Sequence, residues 1–132
     1  MADRSADWMA QAVRDLEKAE GDMEREYFEW ACFTAHQAAE KAMKSLYLAL
    51  AGEAWGHTIS ALMKKLPAHH QPNPSLIEDA IQLDRFYIPT RYPNGFDSGS
   101  PKDYFTKRDA QNGVDAARRI IEFCQSQISG QA

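Results

Sequence analysis

Two groups of side chains in this chain have the types and spacing to do chemistry. The first lies in Trp30 to Gly52, WACFTAHQAAEKAMKSLYLALAG, where His36, Gln37, Glu40, Lys41 and Lys44 gather on one side of a helix. The second is the run Asp84, Arg85, Tyr87, Arg91 and Tyr92, in which Arg91 and Tyr92 sit between two prolines. Guanidinium groups take phosphate oxygens bidentately and stack on aromatic rings. An Arg/Tyr cluster next to a Lys/His/Gln helix face could therefore hold a nucleotide. The competing reading is an Asp–Arg ion pair with the aromatics packed on the core.

Other chemistries lack their residues. His36 and Glu40 are one helical turn apart, but two ligands are too few for a metal, and Lys41 and Lys44 crowd them with positive charge. No Glu-x-x-His pair of a bundle-core metal site occurs. There is no P-loop and no dinucleotide-binding glycine motif, and no spacing organises a catalytic triad. No metal, cofactor or catalytic residue is expected. His69-His70, in a Pro-rich stretch, is expected to be a solvated pair.

The elements that must position these groups are helices. In the Trp30–Gly52 stretch, Phe28, Ala31, Cys32, Ala35, Ala38, Ala39, Ala42, Met43, Leu46, Ala49 and Leu50 share one arc at ~100° per residue. Trp30, Phe33, Tyr47 and Leu48 interrupt the polar side, so that side is expected to be covered as well, unlike an ordinary surface helix. This second helix is predicted from about Arg25 to Ala51, with Gly52 as its stop. The first runs from near Ser5 to about Glu20, buries Trp8, Ala12, Leu16 and Ala19, and stops at Gly21. Thr58 is the expected N-cap of a short third helix containing Ile59, Leu62, Met63 and Leu66. Asn73-Pro74 starts a fourth, which Pro89 ends near Ile88. Pro89 to Pro101 is a breaker-rich loop. Thr106 and Asp109 form a capping box for the last helix, whose stripe is Ala110, Val114, Ala117, Ile121, Cys124 and Ile128. No stretch alternates as a strand does. The fold class is all-α: an up-and-down four-helix bundle with one additional short helix, in a single domain over residues 1–132.

The whole chain sets further bounds. At 132 residues it can bury a core without staples. Its net charge of −4 argues against a non-specific nucleic-acid coat but leaves room for a local basic pocket. Cys32 and Cys124 fall on apolar stripes and read as buried, reduced thiols. No signal peptide and no membrane span is seen, so a soluble cytoplasmic protein with no membrane partner is expected.

The segments AHQAAEKAMKSLYLALAGEAWGHTISAL and LDRFYIPTRYPNGFDSGSPKDYFTKRDAQNGVDAARRIIEF together resemble the HEPN domain family (higher eukaryotes and prokaryotes nucleotide-binding). The resemblance implies a helical bundle that dimerises, similar to the helical half of kanamycin nucleotidyltransferase. It also implies a partner, a minimal nucleotidyltransferase, for which such domains act as helical or substrate-binding subunits. By the same resemblance His36, Gln37, Lys41, His57, Arg85, Arg91 and Tyr92 line a nucleotide- or RNA-binding groove. Lys41 and the arginines would face phosphates, Tyr92 or Trp55 would stack on a base, and His36 and Gln37 would bond sugar or base edges. A second branch of the family consists of metal-independent ribonucleases, often toxins, marked by an Arg followed by His after four to six residues. None of His36, His57, His69 and His70 follows an Arg in that way. The non-nuclease branch is therefore expected. A ribonuclease with a non-standard site and a purely structural dimerisation module are the alternatives.

Overall fold

A computed structural model describes residues 3–53 and 56–130. Five α-helices form the body: α1 Ser5–Glu24, α2 Phe28–Ala49, α3 Ile59–Lys64, α4 Pro74–Asp84 and α5 Lys107–Ser129. No strand occurs among the described residues, and none of the helices is long and apolar enough to cross a membrane. Helix α2 lies at the centre and packs most extensively on α1 and α5, while α4 rests on α5 and α3. The short α3 is tied to α2 by the Tyr47 hydroxyl, which donates to the Leu62 carbonyl at 2.6 Å.

The centre of the bundle is built from small residues. Ala31, Ala35, Ala38, Ala39 and Ala42 of α2 and Ala110, Ala116 and Ala117 of α5 are all fully buried. Short side chains let these helices approach closely, and Met43, Leu46, Ile120 and Val114 fill the spaces between them. At Gly113 of α5, a Cβ would come within 3.1 Å of the Phe86 ring and 3.8 Å of the Ala35 Cβ. Glycine there gives Phe86 its seat and so fixes the segment just beyond α4. Cys32 and Cys124 are free and buried, with the Cys124 thiol 3.6 Å from the Met43 sulfur. Burial pushes the Cys32 thiol up to about 12 and raises that of Cys124 as well.

Local signals placed two helix starts correctly. The Asn73 side chain accepts from the Leu76 N–H at 3.0 Å, with Pro74 at the first helical position. Thr106 Oγ1 accepts from Asp109 N–H at 3.1 Å, and the Asp109 carboxylate accepts from Thr106 N–H at 2.9 Å. The helix ends differ from expectation. Gly21 does not stop α1, which continues through it to Glu24, and α2 starts at Phe28 and ends at Ala49. The reversals fall on Glu26 (φ 67°) and Ala51 (φ 59°), not on glycine. Both ends carry the same paired bonds: Tyr27 N–H to Asp22 and Glu26 N–H to Met23, then Gly52 N–H to Tyr47 and Ala51 N–H to Leu48. This Schellman pattern satisfies the last carbonyls and holds a left-handed residue that glycine would occupy more cheaply.

Four further expectations are corrected. Trp8 is 36% exposed and not part of the core. Pro89 does not end α4, whose regular turns stop at Asp84; tighter bonds from Phe86 N–H to Leu83 and Tyr87 N–H to Asp84 follow. Thr58 sits before α3 but makes no side-chain cap. Asp84 caps α3 instead, accepting from Ile59 N–H at 2.7 Å and from the Ser60 hydroxyl at 2.6 Å. His70 is buried, not solvated, and its Nδ1–H donates to Gln127 Oε1 at 2.7 Å. The Pro89–Pro101 loop is laced to itself and its flank: Phe96 stacks on Tyr104 at 4.0 Å, and the Tyr104 hydroxyl donates to the Ser98 carbonyl.

Candidate functional site

Phe33, His36, Gln37 and Glu40 recur at three- and four-residue intervals along α2, so they line one strip of its surface. Two other segments meet that strip. The chain entering α3 brings His57, and the tightened turn after α4 brings Tyr87, Arg91 and Tyr92. Two anchors hold these segments in place: Asp84 ties α3 to the end of α4, and Gly113 seats Phe86 beside Tyr87.

His36 is fully buried. A carbonyl oxygen can only accept, so the bond of 3.1 Å to the His57 carbonyl places the proton on His36 Nε2. Nδ1 then accepts from the Gln37 side-chain amide at 3.2 Å. Burial lowers the His36 pKa below its ordinary 6.5, outweighing the bond to His57 and the attraction of Glu40. His36 is thus a neutral, fixed support for the His57 backbone. Because its folded pKa lies below the unfolded value, the unfolded chain takes up the proton more readily. Its contribution to stability is complete above pH 6.5 and is lost as pH falls from there through the folded value. Thermal melts at pH 7.5 and pH 5.5 should show this loss. His36→Gln, which cannot titrate but can still donate to the carbonyl, should flatten the difference. An undiminished pH slope in that variant would remove His36 as its source.

The His57 ring is held on two sides. It stacks on Tyr87 at 4.5 Å with 19° between planes, and its Nδ1 donates to Glu40. Glu40 is itself buried and also meets Lys44 Nζ at 3.5 Å. Arg91 completes the group. Its Nε donates to the Tyr87 carbonyl at 2.9 Å, and its guanidinium carbon lies 4.5 Å from the Phe33 ring centre, 4.7 Å from Tyr87 and 5.1 Å from Tyr92. Among the described residues Arg91 has no carboxylate partner, and its guanidinium lies over three rings. The Asp–Arg pair considered from sequence does not form, since Asp84 is turned to α3.

Of the expected site residues, His36, Gln37, His57, Arg91 and Tyr92 are brought together. Lys41 is not beside them: it pairs with Asp15 of α1, on a face ~140° round the helix from His36. Arg85 is exposed, and its side chain forms no hydrogen bond or ion pair among the described residues. Trp55 lies outside the described residues. The polar side of α2 is covered only in part: Phe33 and Tyr47 are half-buried, while Trp30 and Leu48 are exposed. The groove implied by the family resemblance left out Glu40, Phe33 and Tyr87, although Glu40 lies one turn from both His36 and Lys44. Beside the His57–Tyr87 stack is a hollow of about 190 Å³ lined by Thr58, Asp84, Ile88 and Pro89 as well as the two rings. That is below the ~300–1,000 Å³ of pockets that enclose a drug-sized ligand. A nucleotide here would lie along the surface.

Comparison with known proteins agrees with this architecture. The HEPN domain family matches residues 5–127. A protein from Thermus thermophilus has a similar solved structure, with TM-score 0.93, 39% identity, and coverage of 96% of this chain and 99% of that one. An archaeal HEPN homologue is similar at TM-score 0.82 and 39% identity, with the same coverages. A HEPN domain protein from Thermotoga maritima gives 0.76 and 32%, covering 92% and 97%. No curated protein matches. With a family match running almost end to end and solved relatives sharing about a third or more of its residues, the chain belongs to the HEPN family.

Proposed function

We propose that this HEPN domain binds a nucleotide or a nucleic-acid end on the surface formed by Phe33, His57, Tyr87, Arg91 and Tyr92. The observation that carries the reading is Arg91: a guanidinium laid over three rings, with no carboxylate partner among the described residues. Such a group offers paired donors to phosphate, and the exposed Tyr92 offers a face to a base. The domain acts as the helical, binding subunit of a minimal nucleotidyltransferase and pairs with a second copy of itself. Supporting the pairing is a set of exposed apolar side chains, Tyr27, Trp30, Ile88 and Tyr92. Calorimetry with nucleoside triphosphates and short RNAs tests the reading. No heat with any of them would end it. In the same samples, light scattering should give twice the mass of the 14.9 kDa chain, and a monomer would remove the pairing.

A further inference from the structure

Glu40 is a buried carboxylate, its side chain 5% exposed, and Oε2 meets two donors, Lys44 Nζ and His57 Nδ1. The Lys44 ammonium supplies a counter-charge to this carboxylate. Because a carboxylate accepts, His57 carries its proton on Nδ1, and in the neutral ring the lone pair is left on Nε2. Everything else about this ring is fixed: His36 holds its carbonyl and Tyr87 lies under its face. The His57 side chain is still half exposed, and among the described residues Nε2 has no hydrogen-bond partner. The outer edge of the ring therefore presents a positioned acceptor. Arg91, resting on the same Tyr87 ring, presents only donors.

Acceptor and donor fork set a pattern that a ligand must match. A ligand with a phosphate on Arg91 needs a hydrogen-bond donor for His57. In a nucleotide the sugar hydroxyls lie nearest the phosphate. The 2′-hydroxyl is the one that remains a donor whether the nucleotide is free or joined through its 3′-oxygen. We infer that His57 reads the ribose 2′-hydroxyl and makes the site selective for ribonucleotides over 2′-deoxyribonucleotides. Glu40 is the positioning residue that fixes the tautomer. This rests on the nucleotide-binding reading of the same surface.

The test uses the full chain with the four ribonucleoside triphosphates, their 2′-deoxy counterparts and their 2′-O-methyl counterparts. Loss of one hydrogen bond to a fixed acceptor corresponds to about tenfold in affinity. The ribonucleotide should bind about tenfold tighter than both analogues, since methylation keeps the oxygen but removes the donor. In His57→Phe, which keeps the stack on Tyr87, the preference for the ribonucleotide should collapse. Glu40→Leu should collapse the preference, and Glu40→Gln, whose amide oxygen still accepts from Nδ1, should retain it. A purely structural role would instead weaken both sugars equally. Equal binding of the three ligand series to the unaltered protein overturns this inference alone. So does a preference that survives His57→Phe. Absence of binding by every triphosphate overturns the underlying reading together with it. The ligand-side comparison needs no variant, so a variant that fails to fold leaves the test intact.

Discussion

Arg91→Ala should weaken triphosphate binding by roughly 100-fold, with little change in melting temperature. Two charge-assisted bonds to a phosphate, at ~1.5–3 kcal/mol each, amount to at least two tenfold steps. The stability cost is small because the side chain gives the fold one bond to the Tyr87 carbonyl and ring contact at a partly exposed surface. Arg91→Lys should fall between the two. It keeps the charge but loses the planar fork and most of the stacking on Phe33 and Tyr87. Calorimetric affinities for the three proteins decide this. An Arg91→Ala protein that binds as tightly as the parent would move the phosphate site elsewhere.

Met43→Ala should be the most damaging single truncation outside the site. Met43 is fully buried at the middle of α2 and reaches the Cys124 thiol of α5. Truncating a buried methionine costs ~2–5 kcal/mol, because the lost contacts are joined by a cavity that stiff surroundings cannot close. The α2 and α5 faces that it joins are alanine-rich and fully buried, which leaves little room to collapse. For a chain of this size that corresponds to a loss of roughly 10 °C in Tm. Met43→Leu, similar in volume, should cost under ~1.5 kcal/mol. Thermal melts would refute this if the alanine variant lost less than about 3 °C.

How far these features were legible from sequence depends on how local their causes are. The caps at Asn73 and Thr106 are readable because side chain and backbone partner lie within three residues. The alanine arc of α2 is readable because periodicity reports burial directly. Periodicity does not say which neighbour faces a given arc. Lys41 and His36 both read as polar positions of one helix, yet one meets Asp15 of α1 and the other the chain entering α3. The cap of α3 comes from Asp84, 25 residues away from Ile59, so a search of the preceding residues finds only Thr58. The reversals that follow α1 and α2, at Glu26 and Ala51, mislead for another reason. The paired bonds around them force a left-handed residue that composition would assign to Gly21 or Gly52. In the site, Arg91 was chosen from sequence by type, and His57 through the family resemblance. Glu40, which orients His57, was visible only as one more charge on a helix face.

Cys32 and Cys124 are sealed inside the bundle with their thiols held protonated. Thiolate is the species that reacts with maleimides and iodoacetamides, so the folded protein starts out chemically silent to both. A single cysteine introduced at exposed Arg85 would be the only one to take up a dye or spin label quickly. Optical and magnetic probes can thus be mounted at the C-terminal end of α4 without first stripping the native thiols from the core.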